Sequence, residues 1–281
     1  DPSKRFETGN TVLFFDEIQV FSQIATSLKF FKIDGRFDVI CSGSLLGINY
    51  RQIESNSVGY KTDYTMSSLD FEEFLWAKGY GEDTIQDMLR HMESFQPFNQ
   101  LEMNIYSGLF LDYCILGGMP AVVRQYIEKG TFEGSLEIQR QLLEDYKEDI
   151  RKYADGMDQT RILNVFEQIP NQLAKDNKKF QYKVVQKGGS STIFGASLEW
   201  LKQAGVVLEC QRVDQGTHPL PVYADQTAFK IYMSDVGLLV NKSKMSVNTI
   251  VTGEANIFMG AVTENYIAQQ LTAQNYTPYY W

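Results

Sequence analysis

Two adjacent carboxylates, Asp16 and Glu17, follow a run of apolar, β-forming residues that begins at Thr11. The run predicts a parallel strand that is buried on both faces and ends at an exposed edge of a sheet. A carboxylate at such an edge can hold a magnesium ion, and its neighbour can polarise an attacking water. Taken alone, the pair fits an ordinary strand with a solvated turn equally well.

A second strand is predicted at Phe37–Cys41, and it leads into Ser42, Gly43 and Ser44. The segment between the two strands predicts a helix, because its apolar residues have helical spacing at Phe21, Ile24, Leu28 and Phe31. A strand–helix–strand crossover joins parallel strands, so the carboxylates and the serines should share one edge. The predicted fold class is α/β, with a doubly wound parallel sheet.

An apolar strand that ends in acids is typical of the Walker B motif of P-loop nucleotidases. In those proteins a neighbouring strand ends in a small polar residue that senses the γ-phosphate, and Ser42 or Ser44 fits that role. The phosphate-binding pattern G-x-x-x-x-G-K-[ST] does not occur in the 281 residues, and the sequence begins without methionine. We therefore expect a fragment of a longer ATPase-like protein that binds ATP poorly by itself.

The middle of the chain is predicted to be helical. Residues 64–79 contain a helix that Ser68 or Asp70 can cap. Residues 82–152 form further helices, with a stop and a restart at Gly117–Pro120. The charged run Glu144–Lys152 predicts a solvated helix face with i,i+4 ion pairs. Such a helical region is typical of a lid beside a nucleotidase core.

From residue 158 the order of elements is that of a winged helix-turn-helix: two helices, a strand, a loop and a strand. The second helix, Ile193–Ala204, carries Lys202 as its only cation, so a role in protein or inter-domain contact is favoured over base reading. Phosphate contact remains an alternative, through an earlier cluster of lysines: Lys175, Lys178, Lys179, Lys183 and Lys187.

Composition narrows the class of protein further. The chain is 43% hydrophobic with a net charge of −9, which indicates a folded protein that does not coat nucleic acid indiscriminately. No apolar stretch is long enough to span a bilayer. The three scattered cysteines favour a reducing compartment, so we expect a cytoplasmic protein. The two histidines, His91 and His218, do not have the spacing of a zinc site.

Nine motifs occur in an order that resembles one known family. They are FFDEIQ (Phe14–Gln19), SGSLLG (Ser42–Gly47), LDFEEFLWA (Leu69–Ala77), GGMPAVV (Gly117–Val123), EDIRKY (Glu148–Tyr153), IPNQLAKDNKKF (Ile169–Phe180), WLKQAGVV (Trp200–Val207), FKIYMSDVGLL (Phe229–Leu239) and GAVTENYIAQQL (Gly260–Leu271). Together they look like the prokaryotic AAA-type ATPase-like family whose C-terminal half is a domain of unknown function.

The resemblance implies four parts. They are a partial P-loop ATPase core at residues 1–80, a helical lid at 81–155, a winged helix at 156–240 and the start of a restriction-endonuclease-like domain at 241–281. It implies that Asp16 is the magnesium-associated acid, Glu17 the catalytic base and Ser44 the sensor. Glu264 would correspond to the helical glutamate of the nuclease-like domain. The implied cofactors of the complete protein are ATP and Mg²⁺.

Three functional hypotheses follow. The first is an ATPase of unknown process whose nucleotide state repositions the winged helix and the C-terminal domain. The second is a DNA-associated, nuclease-like module with a regulatory or vestigial ATPase. The third is a scaffold whose partners are proteins. No membrane partner is expected.

Overall fold

The computed structural model describes residues 5–18, 20–21, 23–43, 57–154, 158–252 and 256–281. The chain divides into two compact units, Asp1–Thr65 and Met66–Trp281. We call them the N-terminal unit and the C-terminal unit. The fold is mixed α/β, with parallel strands in both units and many helices in the second. The predicted division into four domains stays a prediction.

The N-terminal unit contains strand β1 (Val12–Phe15), helix α1 (Gln23–Asp34) and strand β2 (Asp38–Cys41). The two strands are parallel and pair from Val12 with Asp38 to Phe15 with Cys41. This is the predicted strand–helix–strand crossover. It brings the carboxyl ends of β1 and β2 to the same edge of the sheet.

Burial of the sheet differs from the prediction. Phe15 packs on Phe31 of α1, with 5.8 Å between ring centroids, so α1 covers one face. On the opposite face Val12 and Phe14 remain 57% and 60% exposed. The expectation of a strand buried on both faces, as in a doubly wound sheet, is therefore wrong for the described residues. The reason is that no described element packs on the face that carries Val12 and Phe14.

The first part of the C-terminal unit is helical, as predicted. Its helices are α2 (Phe71–Ala77), α3 (Glu82–Ser94), α4 (Gln100–Leu116), α5 (Pro120–Lys129) and α6 (Phe132–Tyr153). Asp70, one of the two predicted caps, precedes α2 and forms a capping box with Glu73. The Asp70 side chain accepts from the Glu73 backbone N–H, and the Glu73 carboxylate accepts from the Asp70 backbone N–H. Pro120 is the first residue of α5, where its missing N–H costs nothing.

The second part mixes helices and strands. Its elements are α7 (Gln159–Leu173), α8 (Tyr182–Val185), α9 (Ser191–Gln203), β3 (Val207–Val213), β4 (Ala224–Met233), α10 (Val236–Lys242), α11 (Val247–Val251), α12 (Asn256–Ala273) and β5 (Tyr279–Tyr280). Helix α7 continues past Pro170, and the Ala174 N–H donates to the Pro170 carbonyl at 2.9 Å.

Strands β4, β3 and β5 form a three-stranded sheet in that order. Strand β3 is antiparallel to β4 and parallel to β5. The register shifts between Gln211 and Arg212, and pairing resumes with Arg212 opposite Asp225. Beyond this irregularity the pairing extends to Val213 opposite Ala224, the first residue of β4.

The core of the C-terminal unit surrounds the end of α4, where Tyr113 to Leu116 are fully buried. The last turn of α4 is apolar on all sides, so other elements must pack around it to bury its side chains. The buried residues that pack around it come from α2, α5, α10, α11 and α12: Phe74, Val122, Val123, Val236, Val240, Ile250 and Val262. Helix α12, assigned by resemblance to a separate domain, thus contributes to the same core as α4.

Three glycines let backbone segments approach closely at this point. A Cβ on Gly118 would lie 1.9 Å from the carbonyl oxygen of Leu69, and one on Gly237 would lie 2.4 Å from the Leu116 carbonyl. Gly117 has a φ of 68°, and a Cβ there would collide with the carboxylate of Asp235. The motifs GGMPAVV and FKIYMSDVGLL therefore meet in space, and their glycines are required by this contact.

Buried polar side chains hold α12 in place. Asn265 accepts from the Met233 N–H at 2.8 Å and donates to the Met233 carbonyl at 3.0 Å, so it extends the end of β4. Gln269 accepts from the Val236 N–H at 2.8 Å and donates to the Tyr113 hydroxyl at 3.0 Å. The buried side-chain amides of Asn265 and Gln269 thus have hydrogen-bond partners for both their oxygen and their nitrogen. None of the described helices has the length and apolarity needed to cross a bilayer.

Candidate functional site

Asp16 and Ser42 lie side by side at the carboxyl edge of the parallel sheet. The Ser42 hydroxyl donates a short hydrogen bond to Oδ1 of Asp16, and the Glu17 backbone N–H donates to the same oxygen at 3.1 Å. Oδ2 of Asp16 has no hydrogen bond to another described residue, and the side chain is exposed. The carboxylate is therefore oriented through one oxygen, and the other faces outward.

Backbone contacts fix the turn that carries the second carboxylate. The Ser42 N–H donates to the Phe15 carbonyl at 2.9 Å, and the Ile18 N–H donates to the Ser42 carbonyl at 3.1 Å. Between them Glu17 has a φ of 53°, in the left-handed region that residues other than glycine rarely adopt. Such a conformation costs about 1–3 kcal/mol and is typical of functional sites. The buried side chain of Ile18 anchors the turn on the other side.

The donor set at this edge fits a magnesium ion held partly through water. Mg²⁺ prefers oxygen ligands, keeps several of its waters and is commonly bound by one or two protein carboxylates together with substrate phosphates. Asp16 offers an exposed carboxylate oxygen, Glu17 a second carboxylate and Ser42 a hydroxyl. Ser44, the other predicted sensor residue, lies outside the described residues.

Glu264, the predicted nuclease-like acid, lies in a separate cluster in the C-terminal unit. Its carboxylate accepts from Lys178 Nζ at 2.8 Å, from Lys230 Nζ at 2.9 Å and from the Tyr232 hydroxyl at 2.7 Å. Burial alone would raise the pKa of Glu264, but the hydrogen bonds from the two lysines and the tyrosine outweigh it and hold the pKa below its usual value. The cluster ties α12 to β4 and to the segment after α7.

The predicted lysine cluster is not a single surface. Lys178 is engaged by Glu264. Lys179 and Lys183 flank a shallow cavity of about 330 Å³ that is also lined by Gln181, Tyr182 and Gly189. Lys175 is half-buried and Lys187 is exposed, and neither lines that cavity.

Lys202, the cation on α9, also forms ion pairs. Lys202 Nζ is 2.9 Å from a carboxylate oxygen of Glu199 and makes a second, shorter ion pair with Glu209 of β3. Hydrogen bonds from Lys202 outweigh burial and hold the pKa of Glu199 below its usual value. The single cation of α9 is therefore paired with two carboxylates of the same unit.

Sequence reasoning missed Lys230 and Tyr232 as partners of Glu264. Both lie on β4, two positions apart, so they share one face of the strand. In the sequence, this spacing of two residues indicates that β4 has polar side chains on one face. Sequence reasoning missed Asp235 as well. This residue is fully buried and accepts from the Gly118 N–H at 2.8 Å and from the Leu238 N–H at 3.1 Å.

Removing the Glu264 carboxylate should destabilise the C-terminal unit in a pH-dependent way. The folded-state pKa is lowered, so the stabilisation is present above the unfolded value, near 4.5, and is lost as pH falls through the folded value. We expect Glu264→Gln to cost about 1–2 kcal/mol near neutral pH, since two lysines lose their counter-ion while the site stays partly exposed. Urea unfolding over a pH series measures this.

The difference between wild type and Glu264→Gln should shrink as the pH is lowered below 4.5, the ordinary value for the carboxyl group. Glu137 on α6 is exposed and makes no ion pair with another described residue, so Glu137→Gln serves as a control with an unchanged free energy of unfolding. A difference for Glu264→Gln that stays constant with pH would contradict the role of its charge.

Two family matches cover much of the chain. Residues 3–75 match the AAA domain family. The matched segment contains β1, β2 and the two acids that follow β1, and it makes this N-terminal part of the chain similar to AAA-type ATPases. Residues 107–249, half of the chain, match the family described as Domain of unknown function (DUF8612). The chain belongs to that family.

Comparison with individual proteins adds one finding. No curated protein matches the sequence significantly. Among solved structures the chain is similar to a Walker-type ATPase of Pyrococcus abyssi, with 14% sequence identity and a TM-score of 0.49. The match covers 83% of this chain and 63% of that one. The chain thus spans less than two thirds of that ATPase.

Proposed function

We propose that this chain is part of an ATPase that uses Asp16 and Glu17 to hydrolyse ATP. The observation that carries the proposal is the carboxyl edge of β1 and β2. There Ser42 orients one oxygen of Asp16, and the next residue, Glu17, is held in a rare backbone conformation. The match of residues 3–75 to the AAA domain family supports the same class.

The three residues have distinct tasks in this proposal. Asp16 would hold the magnesium ion through a water and its Oδ2 atom, because Oδ1 accepts from Ser42 and from the Glu17 backbone N–H. Glu17 accepts a proton from the attacking water. Ser42 keeps Asp16 in place, and Ser42 or Ser44 senses the γ-phosphate. When bound, Mg²⁺ neutralises charge on the phosphates.

We further propose that nucleotide state is coupled to the C-terminal unit, whose elements have the order of a winged helix followed by a nuclease-like helix. Helices α7 and α9 and the antiparallel pair β3 and β4 support the winged-helix part of the proposal. The ion pairs of Glu264 favour a bridging role for that residue within the unit. A winged helix that contacts protein fits α9 better than one that reads bases.

The test is Mg²⁺-dependent ATP hydrolysis by the full-length gene product and by its Glu17→Gln variant. Hydrolysis that depends on Glu17 supports the proposal. A full-length product with an intact phosphate-binding loop and no ATPase activity would overturn it, and would favour a scaffold whose partners are proteins.

A second candidate function is phosphate-backbone binding to DNA. The observation in its favour is the cavity that is lined by Lys179, Tyr182 and Lys183. Lysines close to a groove contribute to affinity through counterion release, without reading sequence. Lys178 adds little to this surface, since it is paired with Glu264.

Charge reversal tests this second function. We expect Lys179→Glu with Lys183→Glu to weaken salt-dependent binding to duplex DNA about tenfold or more and to reduce the salt slope by about two. Lys129→Glu, at the exposed end of α5, is the matched control and should leave binding nearly unchanged. Equal binding by the double variant and the wild type in a salt titration would exclude the lysine surface.

A further inference from the structure

Three potential metal ligands meet between helices α3 and α4. Asp87 and His91 are four residues apart on one face of α3, and Glu102 lies in the first turn of α4. One ligand atom from each of these side chains lies within 4.8 Å of the others. All three side chains are partly buried. This group of one imidazole nitrogen and two carboxylate oxygens lies in the C-terminal unit, far from Asp16 in the sequence.

The ring of His91 is oriented by groups outside this set. Its Nδ1 lies 3.1 Å from the carbonyl oxygen of Gln96, and a carbonyl oxygen can only accept, so the proton is on Nδ1. In the tautomer with this proton, the lone pair is on Nε2, the ring atom that lies 3.6 Å from Oε2 of Glu102. Phe98 packs against the ring with 4.8 Å between centroids. A backbone carbonyl behind the second ring nitrogen is the usual arrangement for histidines that bind metals.

The distance to Glu102 fits a shared ion better than a hydrogen bond. Nε2 of His91 is 3.6 Å from Oε2 of Glu102, beyond the range of about 2.7–3.2 Å for an N–H···O bond. Two ligand atoms on one tetrahedral zinc ion, at bond lengths of about 2.0–2.2 Å, are separated by about 3.3–3.5 Å. The three ligand atoms lie within 4.8 Å of one another, so the side chains would move together by about 1 Å on binding.

The carboxylates have capacity for a cation. Oδ1 of Asp87 pairs with exposed Arg90 at 2.8 Å, and Oδ2 accepts a long bond of 3.3 Å from Tyr106. Oε2 of Glu102 accepts from the Asn99 N–H at 2.8 Å, and this capping contact holds the side chain towards His91. Imidazole nitrogen and carboxylate oxygen are both ligand types that bind Zn²⁺, and three protein ligands leave a fourth position open.

We propose that Asp87, His91 and Glu102 bind a zinc ion that links α3 to α4, with water as the fourth ligand. Oxygen-preferring ions such as Mg²⁺ are disfavoured by the imidazole ligand. The ion would fix the α3–α4 connection, residues 95–99, because it joins the end of one helix to the start of the next.

The test uses the protein after chelation of metals, titrated with Zn²⁺ alone at about pH 7.5, because protons compete with the metal at lower pH. We expect one zinc ion per chain and a higher melting temperature in its presence. His91→Gln should abolish this uptake. Asp87→Asn and Glu102→Gln should each weaken it about tenfold or more, and glutamine at 102 still supports the capping box.

Two variants serve as controls. His218→Gln removes the other histidine, which is exposed in the loop between β3 and β4, and Glu93→Gln removes a neighbouring exposed carboxylate of α3. Both should bind zinc as the wild type does, and circular dichroism should show unchanged helix content in all variants. No uptake by the wild type, or uptake by His91→Gln equal to that of the wild type, would overturn the proposal.

Discussion

Replacing Glu17 by glutamine is expected to reduce ATP hydrolysis by the full-length gene product about a hundredfold or more, with nucleotide affinity changed little. Glutamine keeps the size and hydrogen-bonding reach of glutamate but cannot accept the proton of the attacking water. The turn itself should survive, because the hydrogen bonds of Ser42 with Phe15 and Ile18 use only backbone atoms. Steady-state phosphate release and equilibrium binding of a fluorescent nucleotide measure the two effects separately.

Glu7→Gln is the matched control for this substitution. Glu7 is an exposed glutamate of the same unit, and its backbone N–H donates to Thr11 at 2.9 Å, so its side chain has no part in that contact. The control should hydrolyse ATP at the wild-type rate. Wild-type hydrolysis by Glu17→Gln as well would remove Glu17 from the mechanism, although Asp16 could still bind the ion.

Local sequence patterns were sufficient to predict the strand–helix–strand crossover of the N-terminal unit. Apolar β-forming residues and helical spacing depend on neighbours in the chain, and parallel pairing follows from the crossover. The meeting of Asp16 and Ser42 at one edge was predictable for the same reason. The exposure of Val12 and Phe14 was not, because burial of a strand face depends on what packs against it.

Contacts between distant parts of the chain could not be predicted. Glu264 pairs with Lys178, 86 positions away, and nothing in the lysine-rich segment indicates that one lysine faces inward. The local sequence pattern correctly predicted that Asp87 and His91 lie in a helix. Their proximity to Glu102 depends on the packing of α3 against α4. The spacing of the two histidines along the chain gave no indication of this group of side chains.

The sharpest stability effect should come from a single methyl group at Gly118. Gly118→Ala is expected to destabilise the C-terminal unit by at least about 3 kcal/mol, because the new Cβ would overlap backbone atoms that cannot rotate away. The Cβ position lies 1.9 Å from the carbonyl oxygen of Leu69 and 2.8 Å from its carbonyl carbon and nitrogen. That carbonyl also accepts from Tyr113 at 2.7 Å, so relieving the overlap breaks a buried bond.

Gly108→Ala is the matched control, because Gly108 lies within α4 and a Cβ there would meet nothing within 4 Å. Alanine has the higher helix propensity, so this variant should be as stable as the wild type or up to about 1 kcal/mol more stable. Urea unfolding followed by circular dichroism compares the three proteins. Because folded domains have only about 5–15 kcal/mol of stability, Gly118→Ala should unfold at clearly lower urea. If both variants unfold with the wild type, the approach of Gly118 to Leu69 is not a required contact of this fold.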